Sequence, residues 1–241
     1  MFVVAAHEFK RLFKSAKAII IVLTIFAISY YVAKFFKTLG EQFQAGIGTD
    51  QYAIGVLFVI FILGPLFTCG LCHDTISRER ATRTMRFLVT KTSRPTIIIG
   101  KYLGIWLFWL CCIAASYILV AVVARHFIWL GVADGVLFIS VIIGFYLLFS
   151  VLMPNPGITM FFGIVFALLF PIVSLYSMFS SAPYIAWFKY VTPYYYSTLG
   201  YYYIFINLLY AAILLMLSIL LFSGRDPVSY THLTLPTNSL V

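Results

Sequence analysis

The chain has 241 residues, of which 63% are hydrophobic and only 10% charged, and its mean hydropathy is +1.04. That balance excludes a soluble globular domain, because so little polar surface could not cover so much apolar side chain. The formal net charge is +9, and where the Lys and Arg fall decides whether nucleic acid or lipid balances it.

The first element predicted is an amphipathic helix over residues 2–17. Phe2, Ala5, Ala6, Phe9, Leu12, Phe13 and Ala16 share one face, and His7, Glu8, Lys10, Arg11, Lys14 and Lys17 take the other. Such a helix suits the membrane interface, with Phe2, Phe9 and Phe13 in lipid and Lys10, Arg11 and Lys14 in water. Six apolar runs follow, each near the ~20 residues that cross a bilayer. They are Ala18–Ala33, Tyr52–Cys72, Tyr102–Ala124, Val136–Met153, Gly157–Phe179 and Tyr202–Ser223. The start lacks a small-residue cleavage site and is expected to be retained rather than removed as a signal peptide.

Between the second and third runs lies the only long charged stretch, His73–Pro95, holding Asp74, Arg78, Glu79, Arg80, Arg83, Arg86, Lys91 and Arg94. With both termini inside, 12 of the 16 Lys and Arg collect on the cytosolic side, leaving Lys34, Lys37, Arg125 and Lys189 outside. The positive-inside rule selects that orientation. Topology and anionic lipid then account for the positive charge, and no nucleic-acid partner is needed.

Cys69 and Cys72 form a CxxC at the end of the second run, and Cys111 and Cys112 lie in the third. With no second pair to complete a metal set, they read as small apolar residues. Pro154-Asn155-Pro156-Gly157 predicts a tight turn between the fourth and fifth runs. The segment Ser180–Leu199 then carries Trp187, Lys189 and the run Tyr194, Tyr195 and Tyr196, followed by Tyr201–Tyr203. These aromatics read as an outer interfacial belt, and a re-entrant or surface helix would use the same residues.

None of the six predicted runs holds Asp, Glu, Lys or Arg in its core. Ion-coupled carriers need titratable groups at membrane depth, so a carboxylate relay is not expected. Gly100-Lys101 is not a phosphate loop, since Pro95 stands where the first glycine belongs and Tyr102 where Ser or Thr would bind magnesium. The polar segments are also too short to fold an ATPase. No catalytic, metal-binding or cofactor-binding residue is assigned, and the chain is not expected to be an enzyme by itself.

The stretch Ser77–Gly104 resembles the loop after the second span in ABC transporter permeases of the second export class. That loop runs from an acidic-basic start through a Gly-Thr, a Leu-rich turn and a Ser-Arg to a Gly-Lys. The matching residues here are Glu79-Arg80, Thr84, Phe87-Leu88, Ser93-Arg94 and Gly100-Lys101. Arg83 departs from the pattern by standing where the family usually has glycine. The six spans, the interfacial helix and the Tyr/Pro-rich segment before the last span extend the resemblance over residues 1–226.

The resemblance implies an all-α polytopic membrane protein with a cytosolic coupling helix between spans two and three. It implies docking on a separate ATP-binding subunit that carries the ATP and magnesium, and pairing with a second permease copy or paralogue. The docking residues would be Arg78, Glu79, Arg80, Arg83, Thr84, Met85, Arg86, Phe87 and Leu88, with the arginines reaching carboxylates and Met85, Phe87 and Leu88 anchoring. Glu79 is expected to pair across that interface or with Arg83. Export from a prokaryotic plasma membrane is the implied activity. Two other classes stay open: a non-transporting scaffold that recruits a cytosolic partner through residues 73–95, and a lipid-headgroup enzyme built on His73, Asp74 and Ser77.

Val228–Thr237 resembles one reading frame of the mosaic-end adapter of transposase-based sequencing libraries. Residues 227–241 are therefore expected to be a library-derived tail, which leaves 1–226 as the permease domain.

Overall fold

The computed structural model describes residues 1–43, 52–85, 89–90, 92–180, 182–200 and 202–224. Arg86, Phe87 and Leu88 of the docking loop, Tyr201, and the tail 227–241 lie outside the described residues. The elements are α1 (Phe2–Phe13), α2 (Ala16–Phe43), α3 (Ile54–Phe58), α4 (Gly64–Cys72), α5 (Ser77–Ala81), α6 (Arg94–Ala124), α7 (Trp129–Leu152), α8 (Pro156–Phe179), α9 (Pro183–Ala186), α10 (Pro193–Thr198) and α11 (Ile204–Ser223). No strand occurs among the described residues. Six helical stretches are long and apolar enough to cross a membrane, and the protein is an all-α polytopic membrane protein.

The centre of the bundle is α7, which packs along α6 and α11 and also meets α4 and α8. Phe138, Ile139, Val141, Ile142, Ile143, Tyr146 and Leu147 on it are almost wholly buried. The outer helices instead expose Ile20, Leu23, Leu168, Ile172, Leu209 and Met216. In water those side chains would be a liability, and in a bilayer they face lipid tails.

The second span is not a uniform helix. Between α3 and α4 the chain passes through a π-helical turn, Val59–Leu63, just before Pro65. A π turn leaves its carbonyls poorly shared, so a side chain can bond to them from outside. Tyr194 of α10 does so, donating its hydroxyl to the Phe61 carbonyl oxygen at 2.6 Å.

That contact corrects the interfacial reading of Tyr194. The ring is buried among Phe61, Phe138 and Phe170, an aromatic plug rather than part of a belt. Trp187 and Tyr190 keep about half of their surface exposed, at 57% and 55%. Tyr195 and Tyr196 are half-buried, and Tyr196 donates to the Tyr190 carbonyl oxygen at 2.7 Å. The cysteines also divide: Cys69, Cys72 and Cys112 are buried packing residues, whereas Cys111 is exposed on α6.

The helices run further than the apolar sequence does. The first predicted span ended at Ala33, but α2 continues to Phe43. More consequentially, α6 begins at Arg94 and so includes Lys101, while α7 begins at Trp129 and includes Asp134. Spanning helices therefore carry charged residues beyond the apolar runs, Lys101 and Asp134 among them. Hydropathy marks where charge stops being tolerated in lipid, whereas helix limits depend on caps and partners. Ser93 takes an extended backbone at the N-cap, and Pro95 fits the first turn, where its missing N–H costs nothing.

Candidate functional site

The site begins with α1, whose buried row is Ala5, Glu8 and Leu12. These residues recur at three and four positions, so a single stripe turns inward. Glu8 was expected on the water face, yet it is only 2% exposed. Phe2 and Phe13, on the neighbouring stripe, stay exposed at 80% and 45%, and Lys10 and Lys14 are exposed further round. The helix thus has a protein side, an apolar side open to lipid and a basic side.

α1 lies directly on α6, at the level of Gly100 and Gly104. A Cβ on Gly104 would sit 2.6 Å from Glu8 Cβ and 2.7 Å from the Ala5 carbonyl oxygen. At Gly100 it would sit 2.8 Å from Val4 Cβ and 3.1 Å from the Met1 carbonyl oxygen. Two glycines four residues apart clear one groove on α6, and α1 fills it.

Between these glycines stands Lys101, 1% exposed and the only wholly buried cation among the described residues. Its Nζ donates to Glu8 Oε1 at 2.7 Å and to Glu79 Oε1 at 2.6 Å. Arg11 closes the group with an ion pair to Glu8 Oε2 at 2.7 Å. Two carboxylates face two cations, so the cluster is neutral, which is the condition for burying charge at all. Glu79 therefore spends its charge inside the protein. The pairing expected with Arg83 or across an interface is replaced by Lys101, because the buried ammonium has the greater need of a counter-charge.

α5 is fastened to the bundle by two further ties. The Ser150 hydroxyl oxygen, near the end of α7, accepts from the backbone N–H of Ile76 at 2.8 Å and of Ser77 at 3.0 Å. Arg80 Nη1 donates to the Val151 carbonyl oxygen at 2.9 Å, meeting the negative end of α7. Arg94 does the same for the last span, donating from Nη1 to the Ser223 carbonyl oxygen at 2.6 Å. Met85, expected as an outward anchor, is 1% exposed and belongs to the protein's own core.

Between Ser77 and Met85, what remains outward is Arg78, Ala81, Thr82, Arg83 and Thr84. Arg78 makes a loose pair with Asp74 at 3.6 Å, with two-thirds of its side chain in solvent. Thr82 and Thr84 close the end of α5, donating to the carbonyl oxygens of Arg78 at 2.9 Å and Glu79 at 3.3 Å. Arg83 has φ +59, the left-handed conformation. That is the conformation glycine enters without steric cost, so the turn keeps a glycine-like shape although arginine occupies it.

His73, Asp74 and Ser77 do not converge. His73 Nδ1 lies 2.8 Å from the Cys69 carbonyl oxygen, Asp74 meets Arg78, and Ser77 is held against Ser150. Glu8, Lys101 and Ser150 were missed by reading the sequence for charge and hydropathy. The Ala5–Glu8–Leu12 spacing and the Gly100/Gly104 pair were the signals that could have found the first two.

No protein-family model matches the chain, and no curated protein matches it.

Proposed function

We propose that the chain is the membrane-spanning permease subunit of an ATP-driven exporter, coupled through α5 and the residues after it to a separate ATP-binding subunit. The supporting observation is mechanical. α5 is a short helix bound at Glu79 to α6 and at Ser77 and Arg80 to α7, while Arg78 on it and Arg83 just beyond it project into solvent. A contact surface backed by buried ion pairs transmits displacement, whereas a loosely solvated loop absorbs it. The exposed arginines supply forked donors for carboxylates on a partner.

In this reading the ATP-binding subunit holds the nucleotide and magnesium, and the permease works as a pair of copies or paralogues. The membrane is a prokaryotic plasma membrane with both termini in the cytosol. The cargo is apolar or amphipathic. A cleft of about 500 Å³ walled by Phe145, Phe149, Phe162, Phe166, Phe170 and Tyr210 has the chemistry for such molecules.

The test is co-purification of the tagged protein from its own operon, comparing the wild type with Arg78→Glu/Arg83→Glu. Neither arginine is part of the buried cluster, so both proteins should fold alike. Recovery of an ATP-binding subunit with the wild type and its loss with the variant is the expected result. Recovery of a non-ATPase cytosolic protein through the same loop would replace transport with scaffolding. Recovery of the ATPase equally with both proteins would refute docking by this surface.

A further inference from the structure

The end of the bundle away from the charged cluster holds a second polar feature. Lys101 and Tyr117 are separated by 16 residues of α6, or about 24 Å along the axis. Tyr117 lies against Gly131 of α7, because a Cβ built there would come within 2.5 Å of the Tyr117 hydroxyl oxygen. One turn further along α7 is Asp134. It borders a crevice of about 390 Å³ between α3, α7, α10 and α11, with Leu57, Ile128, Leu130 and Ile204 as apolar walls and Ser197 beside the carboxylate.

The polar groups form a directed chain. Asn207, completely buried on α11, donates from Nδ2 to the Pro193 carbonyl oxygen at 3.3 Å and to Ser197 Oγ at 3.5 Å. Ser197 Oγ donates in turn to Asp134 Oδ1 at 2.7 Å. The Asn207-to-Ser197 and Ser197-to-Asp134 donors run toward the carboxylate and steady its negative charge. Asn207 Oδ1 is buried with no hydrogen-bond partner among the described residues.

No Lys, Arg or His among the described residues pairs with Asp134, in contrast to the fully matched charges around Lys101. A carboxylate held by a single hydroxyl within a spanning helix has one unfilled requirement, a cation. The apolar walls select what carries it. A small hydrated metal ion gains nothing from Leu57, Ile128 and Ile204, whereas a protonated amine on an apolar body satisfies both carboxylate and walls.

We propose that this crevice is a binding site for an organic cation, a protonated amine on an apolar body, with Asp134 as its counter-ion and Ser197 and Asn207 positioning that carboxylate. The site requires neither the ATPase nor the transport reading, and binding alone tests it. The full-length protein in phosphatidylcholine nanodiscs is titrated with octylammonium, octanol and sodium chloride, following the thermal midpoint and saturable binding.

Octylammonium should bind saturably and raise the midpoint of the wild type, and Asp134→Asn should weaken it about ten- to hundred-fold. Octanol, with the same chain and no charge, should act equally and weakly on both proteins. The proposal is overturned if octanol matches octylammonium on the wild type, a comparison that needs no variant to fold. It is equally overturned if Asp134→Asn binds octylammonium as the wild type does, or if sodium alone gives the Asp134-dependent shift. Competition by phosphatidylethanolamine added to the discs would identify the ammonium as that of a lipid headgroup, and no competition would identify it as that of a free amine.

Discussion

Replacing Lys101 with Met removes one ammonium and leaves two carboxylates on either side of the space it filled. Both Glu8 and Glu79 touch the same Nζ, at 2.7 and 2.6 Å, so their oxygens lie within roughly 5 Å of each other and repel by about 3 kcal/mol at an effective dielectric near 20. Arg11 still neutralises Glu8 in part, but Glu79 has no second cation among its described ion pairs. The loss therefore falls near the lower end of the ~3–5 kcal/mol for breaking a buried pair. In a chain of this length that lowers the unfolding midpoint by roughly 6–12 °C. Thermal unfolding of the purified protein in nanodiscs measures it. The triple variant Glu8→Gln/Glu79→Gln/Lys101→Met removes the orphaned charges and should recover most of the loss. A fall below about 2 °C in the single variant, or a triple variant as damaged as the single, would refute the charge argument and place the cost in packing.

Three other outcomes follow from the same geometry. Gly104→Leu should push α1 off α6 and cost about 1–3 kcal/mol, read as a lower midpoint and as new thiol accessibility at Ala5→Cys. Ser150→Ala should orphan the Ile76 and Ser77 amides and cost about 2 kcal/mol or more, with hydrogen exchange accelerating at those two positions; unchanged exchange there would sink the clamp. Arg83→Gly should leave the midpoint within about 1 kcal/mol of wild type, whereas Arg83→Val should lower it by about 1–2 kcal/mol, because a β-branched residue fits the left-handed backbone poorly.

The all-α membrane architecture was legible because its cause is local: a run of apolar side chains insoluble in water reads directly as a span. The charged segment between spans two and three was legible for the same reason, as a break in that pattern. The inward direction of its side chains was not. Glu79 and Arg80 look like free surface charges until the partners, 22 and 71 positions away, are brought beside them. Glu8 was misread because the apolar count around α1 outweighed the narrower stripe that packs. Tyr194 was misread because an aromatic at the end of a bundle has the same composition whether it faces lipid or fills a gap beside a π turn. Arg83 holds a left-handed backbone that its residue type does not announce.

The Arg94–Ser223 hydrogen bond carries a consequence for sidedness. It brings the entry of the third span and the exit of the sixth to one end of the bundle, the same end at which α1 lies on Gly100 and Gly104. An even number of crossings separates these points, so α1, α5 and the end of α11 share one compartment whichever way the protein is inserted. Orientation is then a single binary variable for the whole molecule. One impermeant label reacting, or failing to react, with a cysteine placed at Thr82 assigns the compartment of every other segment at once.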